Sequence, residues 1–149
     1  MKYETLRTEP LVLAPPSQLD LVIPFTTPEL TVAAVRAAEA FGTDLHASIR
    51  LVKLHMVPFH VASSPVDPKF VEDQLNSIEA SLPIRRLAVF TRDCERDLLA
   101  MLGPDSVVVL AMRRRLWRTS TEALAARIRL HGHRVILVQH KREKEFVYA

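Results

Sequence analysis

The most constraining stretch of this chain is Val107-Val108-Val109-Leu110-Ala111-Met112, an apolar run without alternation. A β-branched run of this length, with no polar residue every second position, reads as a strand covered on both faces. That is the environment of a strand inside a parallel sheet. The run passes directly into Arg113-Arg114-Arg115, with Trp117 and Arg118 just beyond. Open parallel sheets bind ligands beyond the carboxyl ends of their strands, so the arginine cluster marks the first place to look for a function.

The flanking sequence supplies the other layers. Leu19–Thr26, Ser48–Phe59, Ile84–Thr91, Ser106–Met112 and Arg134–Gln139 read as strands. Between them lie helical patterns. Thr27-Pro28 is an N-cap followed by proline at N1, and Leu30, Ala33, Ala34, Ala37, Ala38 and Phe41 form an apolar stripe over Pro28–Phe41. Asp67-Pro68 repeats this start for a helix over Pro68–Leu82, which Pro83 stops. Arg92–Leu102 is a shorter helix, and Thr119 with Glu122 makes a capping box for one that ends at Gly132. Strands that alternate with helices run parallel, because a helical crossover returns the chain in the same direction. The predicted fold is a doubly wound five-stranded parallel α/β sheet.

The three glycines, Gly42, Gly103 and Gly132, all fall where a helix leads into a strand, and each is expected to be a left-handed cap. None falls where a strand leads into a helix, which is where a phosphate-binding loop needs glycine. With neither GxGxxG nor a Walker A motif, any phosphate held here would need side chains.

The chain has 149 residues, of which 48% are apolar, enough for the core of one domain. We expect an N-terminal arm over 1–19, an α/β domain over 20–140 and a charged and apolar tail over 141–149. No apolar run approaches the roughly 20 residues of a membrane span, and the Met1-Lys2-Tyr3-Glu4 start does not read as a signal peptide. The expectation is a soluble, cytoplasmic protein without a membrane partner. A single cysteine, Cys94, excludes an internal disulfide and a cysteine-rich metal site. The net charge of +3 is too small to argue for nucleic acid by itself.

Several stretches resemble the universal stress protein family, within the adenine-nucleotide α-hydrolase-like superfamily. They are Asp44-Leu45-His46, Leu54-His55-Met56-Val57-Pro58, Val107–Met112 and Arg134-Val135-Ile136-Leu137-Val138. The resemblance runs from about Asp20 to His140. It implies strand order 3-2-1-4-5 and a homodimer, often formed through strand five, here Val135, Ile136, Leu137 and Val138. One branch of the family binds ATP through Gly-x2-Gly-x9-Gly-Ser/Thr after strand four, helped by an aspartate ending strand one. Here Ala111 and Arg114 fall at the first two glycines, and Thr121-Glu122 at the last pair. Six residues separate Arg114 from Thr121 where the motif has nine, and strand one ends in Pro24-Phe25-Thr26. The resemblance therefore points to a non-ATP-binding or otherwise diverged member, and no family binding residue or cofactor carries over.

Each candidate site has an ordinary reading beside it. Arg113, Arg114, Arg115 and Arg118 can clamp an anion, with Trp117 stacking on a base or cation; equally they form a solvated basic loop. Cys94 stands near a helix N-terminus between Arg92 and Arg96, which favours a thiolate, but Asp93, Glu95 and Asp97 oppose it. His55 and His60 without a paired carboxylate make a poor metal site, and His131, His133 and His140 suit the surface or a dimer contact. Ser63-Ser64 lacks the Gly-x-Ser-x-Gly elbow of a serine hydrolase. Phe146, Val147 and Tyr148 suit either docking on a partner subunit or a frayed terminus. Three functions remain open: a homodimer acting through protein contacts, a sensor holding a nucleotide or other anion by Arg113–Arg118, and a weak nucleotide hydrolase. Against the last stands the absence of any acidic residue near the strand-four loop.

Overall fold

The structure is a computed structural model, and it describes residues 19–58, 67–113 and 120–140. Five strands form one sheet: β1 (Asp20–Pro24), β2 (Ser48–Met56), β3 (Ile84–Thr91), β4 (Ser106–Arg113) and β5 (Arg134–His140). Every pairing is parallel, and the order is β3-β2-β1-β4-β5. Four helices connect them: α1 (Pro28–Gly42), α2 (Pro68–Asn76), α3 (Cys94–Ala100) and α4 (Ser120–Leu130). The doubly wound parallel α/β sheet is as the sequence predicts, and its order is the one the resemblance implies.

Side-chain alternation along each strand divides the core between two faces. Leu21, Ile23, Ile49, Leu51, Val107 and Val109 pack with Ala34, Val35 and Ala38 of α1 and with Val71 and Leu75 of α2. Val22, Val52, Val89, Val108 and Leu110 pack with Leu98 of α3 and with Ala125 and Ile128 of α4. The strand order requires both layers. The chain winds outward from β1 to β3, returns, and winds out again through β4 and β5. All residues of β4 except Arg113 are buried, which explains why that strand shows no alternation in sequence.

Several predicted boundaries shift, each for a local reason. The helix expected over Pro68–Leu82 ends at Asn76. The Ser77 N–H bonds the Asp73 carbonyl, and the Ser77 hydroxyl bonds the Gln74 carbonyl at 2.7 Å. The Arg86 guanidinium on β3 then takes the Leu75 carbonyl at 3.0 Å and the Ile78 carbonyl at 2.5 Å, replacing the next helical turn as their partner. Strand two ends at Met56 rather than Phe59: the Val57 N–H makes the last bond to β3, to the Thr91 carbonyl at 2.8 Å, and Pro58 has no N–H to continue the ladder. Helix three begins at Cys94, with the Asp93 carboxylate accepting from the Arg96 N–H at 3.0 Å. The strand-one expectation shortens from Leu19–Thr26 to Asp20–Pro24, whereas strands four and five each gain one residue.

The glycine expectation holds at one position. Gly132 is left-handed, at φ 88°. Gly42 has φ −91°, and the left-handed residue after α1 is His46 at φ 53°. Gly42 is needed for space: a Cβ there would lie 3.0 Å from Ala47 Cβ and 3.0 Å from Leu21 Cδ1. Gly103 is not left-handed either; its N–H bonds the Ser106 hydroxyl at 2.9 Å. Residues 1–18 of the N-terminal arm, the Thr119 cap and the 141–149 tail lie outside the described residues.

At the amino end of the sheet, Asp20 joins three strands. Its carboxylate accepts from Arg50 Nε at 3.0 Å, Arg50 Nη2 at 2.6 Å and the Ser106 hydroxyl at 2.7 Å. Arg50 Nη2 also donates to the Met101 carbonyl at the end of α3, at 2.7 Å. Replacing Asp20 by alanine leaves Arg50 without its counter-charge. We expect a loss of about 2 kcal/mol in a urea titration, against about 1 kcal/mol for Ser106→Ala, which removes one neutral donor to Asp20 and the acceptor of the Gly103 N–H.

Candidate functional site at the carboxyl edge

The carboxyl edge of the sheet is organised by the turn between β1 and α1. Thr27 caps α1, its hydroxyl accepting from the Leu30 N–H at 3.2 Å while its carbonyl takes the Thr31 N–H at 2.9 Å. Thr31 is buried, and its hydroxyl accepts the Thr26 N–H at 3.1 Å. Amides that a glycine-rich loop would turn toward a phosphate are thus held by the chain's own threonines. The Thr-Pro start gives a sharply fixed helix entry in place of an open cradle.

Glu29, in the first turn of α1, faces the ends of two strands. Arg113 and His140 are register partners at the ends of β4 and β5. By alternation both project to the α1 side, the side to which Val109 and Val138 belong. Arg113 Nη2 bonds Glu29 Oε1, and His140 Nε2 lies 3.1 Å from Glu29 Oε2. One carboxylate thereby joins α1, β4 and β5. The three side chains are partly exposed, so water reaches the group.

On the other side of β1, Lys53 Nζ lies 4.8 Å from the centre of the Phe25 ring. Two residues along β2, the His55 ring meets Phe90 edge-on, at 5.4 Å between centroids. Partial burial lowers the Lys53 pKa. Burial first, and then the Lys53 charge, lowers that of His55. Cys94 behaves oppositely to a reactive thiol. Burial pushes its pKa up, and the Asp97 and Asp93 carboxylates add to the rise. The cations Arg92 and Arg96 do not win at this site, because Asp93 caps the helix and Asp97 lies one turn in.

Of the arginine cluster, Arg113 lies within the described residues, and Arg114, Arg115, Trp117 and Arg118 lie outside them, as do His60, Ser63 and Ser64. Val135, Ile136, Leu137 and Val138 are half-buried along β5. Val135 and Leu137 pack toward α3 and α4, and Ile136 and Val138 toward α1. At the described edge of the strand-four loop, where no acidic residue is expected, Arg113 bonds Glu29. Sequence reading missed it because 84 positions separate it from Arg113. The available signal was its place two residues after the Thr27 cap, at the helix end that meets the strand-four carboxyl terminus in this strand order.

Among the described residues, no group of three or more His, Cys, Asp or Glu side chains is placed to hold a metal ion, and no helix is long and apolar enough to cross a membrane. No family model matches the chain, and no curated protein matches it.

Two outcomes follow. A folded-state His55 pKa below the unfolded value near 6.5 means that the unfolded chain binds the proton first. The His55 contribution is therefore complete above that value and lost as pH falls below it. His55→Phe keeps an aromatic ring against Phe90 without the titration, so its stability, measured by chemical denaturation, should decline less than wild type on acidification through this window. Iodoacetamide should alkylate Cys94 in the folded protein more slowly than in the urea-unfolded chain at the same pH, read by mass spectrometry.

Proposed function

We propose that this chain is a universal-stress-protein-like regulatory protein of the cytoplasm, acting as a homodimer through protein contacts and without ATP turnover. The sheet order supports the resemblance from which this reading starts. The threonine-closed β1–α1 turn supports an absence of nucleotide chemistry, since its amides are already bonded within the chain.

The observation that carries the reading is the contrast between the two edge strands. In β3 the residues Leu87–Thr91 are already buried within one chain. In β5 no residue is fully buried, although four consecutive positions are Val135, Ile136, Leu137 and Val138. Among the described residues β5 pairs with β4 alone. An apolar edge strand with an open backbone row is where a second copy adds both hydrogen bonds and burial. Native mass spectrometry of the purified protein should give twice the chain mass, with no adduct on addition of ATP. Leu137→Lys places a charge on that strand and should move the population to monomer, while circular dichroism checks that the fold persists. A wild-type protein that is monomeric at every concentration removes the dimer from this reading.

A further inference from the structure

An acidic residue in the first turn of a helix gains from the helix dipole while it faces water. Glu29 does more than this. Its two oxygens meet two different donors, the Arg113 guanidinium from the end of β4 and the His140 imidazole from the end of β5. The donors come from adjacent strands, in register, and converge on one anion. A planar guanidinium and a ring N–H converging from two directions are the groups by which side chains hold a phosphate oxygen or a carboxylate. They stand at the carboxyl edge of a doubly wound sheet, beside the change of winding direction between β1 and β4. That is the place where such folds receive ligands.

We propose that Arg113 and His140 form a binding site for a phosphate-type anion, and that Glu29 occupies the site in cis. The tethered carboxylate acts as an internal competitor. An external phosphate or diphosphate group must displace it, and its apparent affinity falls by the fraction of time the site is closed. The ligand class is a free anion with several oxygens, such as inorganic phosphate or pyrophosphate. This inference does not depend on the dimer: it concerns the α1 side of the strand ends and is read by anion binding, whereas the dimer is read by mass.

The test is calorimetric titration of inorganic pyrophosphate at low ionic strength. Glu29→Gln keeps the side-chain length and removes the charge. It should bind pyrophosphate at least about tenfold more tightly than wild type, the factor expected when a site closed most of the time is opened. Adding Arg113→Ala or His140→Ala to Glu29→Gln should abolish the gain. Two results overturn the proposal. One is a folded Glu29→Gln protein that binds no more tightly than wild type. The other is a gain that survives both second substitutions, which places the anion elsewhere. Glu29→Asp retains the first-turn charge but shortens its reach, and gives the same comparison if the amide variant does not fold. A folded Glu29→Asp protein without any gain equally overturns the site.

Discussion

The sheet depends on the Asp20 carboxylate. A parallel sheet with central β1 needs its neighbours β2 and β4 in fixed register, although neither is joined to the other by a short turn. Asp20 pairs across to Ser48 on one side and Ser106 on the other, and its side chain then takes Arg50 and the Ser106 hydroxyl together. A one-residue slip of either neighbour would carry its donor to the opposite face. The apolar interior of β4 cannot supply this information, since Val107, Val108 and Val109 are nearly equivalent to one another. One charged group at the amino end of β1, β2 and β4 supplies the alignment that the apolar run of β4 cannot.

The opposite end of the sheet uses charge differently. There Glu29 joins a helix start to two strand ends with partly exposed groups, whose net contribution to stability is small. The same turn is fixed more firmly by Thr26, Thr27 and Thr31. The ionic group at this end therefore adds little that the threonines do not already provide. It can open without loosening the sheet, in contrast to the Asp20 group, which also holds the end of α3 through Arg50. The sheet is thus locked at its amino end and adjustable at its carboxyl end, where strand ends converge.

The fold was legible in the sequence because its signals are local. The Val107–Met112 run, the Thr27-Pro28 and Asp67-Pro68 starts and the apolar stripe of α1 each act over a few residues. What could not be read arises from groups distant in sequence. The end of α2 was misplaced because Arg86, on the next strand, takes carbonyls that another helical turn would have used. Gly42 was assigned a left-handed turn when its constraint is the approach of Leu21 and Ala47. At the candidate site, the arginine cluster marks the carboxyl edge in sequence, with Arg113 at the end of β4. Its partners Glu29 and His140 emerged only once strand order had set β5 beside β4 and α1 above them.

The two edges of the sheet complete the asymmetry. Among the described residues both β3 and β5 are edge strands, each paired with a strand on one side only. The β3 edge is blunted within the chain: Arg86 turns to the end of α2, and the Thr91 hydroxyl bonds Asp97 in α3. Helices therefore grip that strand from both faces. β5 is met by Ala125 and Ile128 of α4 on one face, with the Arg129 guanidinium reaching the Val135 carbonyl at 3.1 Å, and by α1 on the other, yet none of its residues is fully buried. The strand is apolar enough to belong in an interior, yet its own chain leaves it half-covered. Its carboxyl end, His140, is the residue that Glu29 holds. Any event that opens the Glu29 group thus acts on the end of the least enclosed strand, and the candidate anion site and the candidate dimer edge share one structural element.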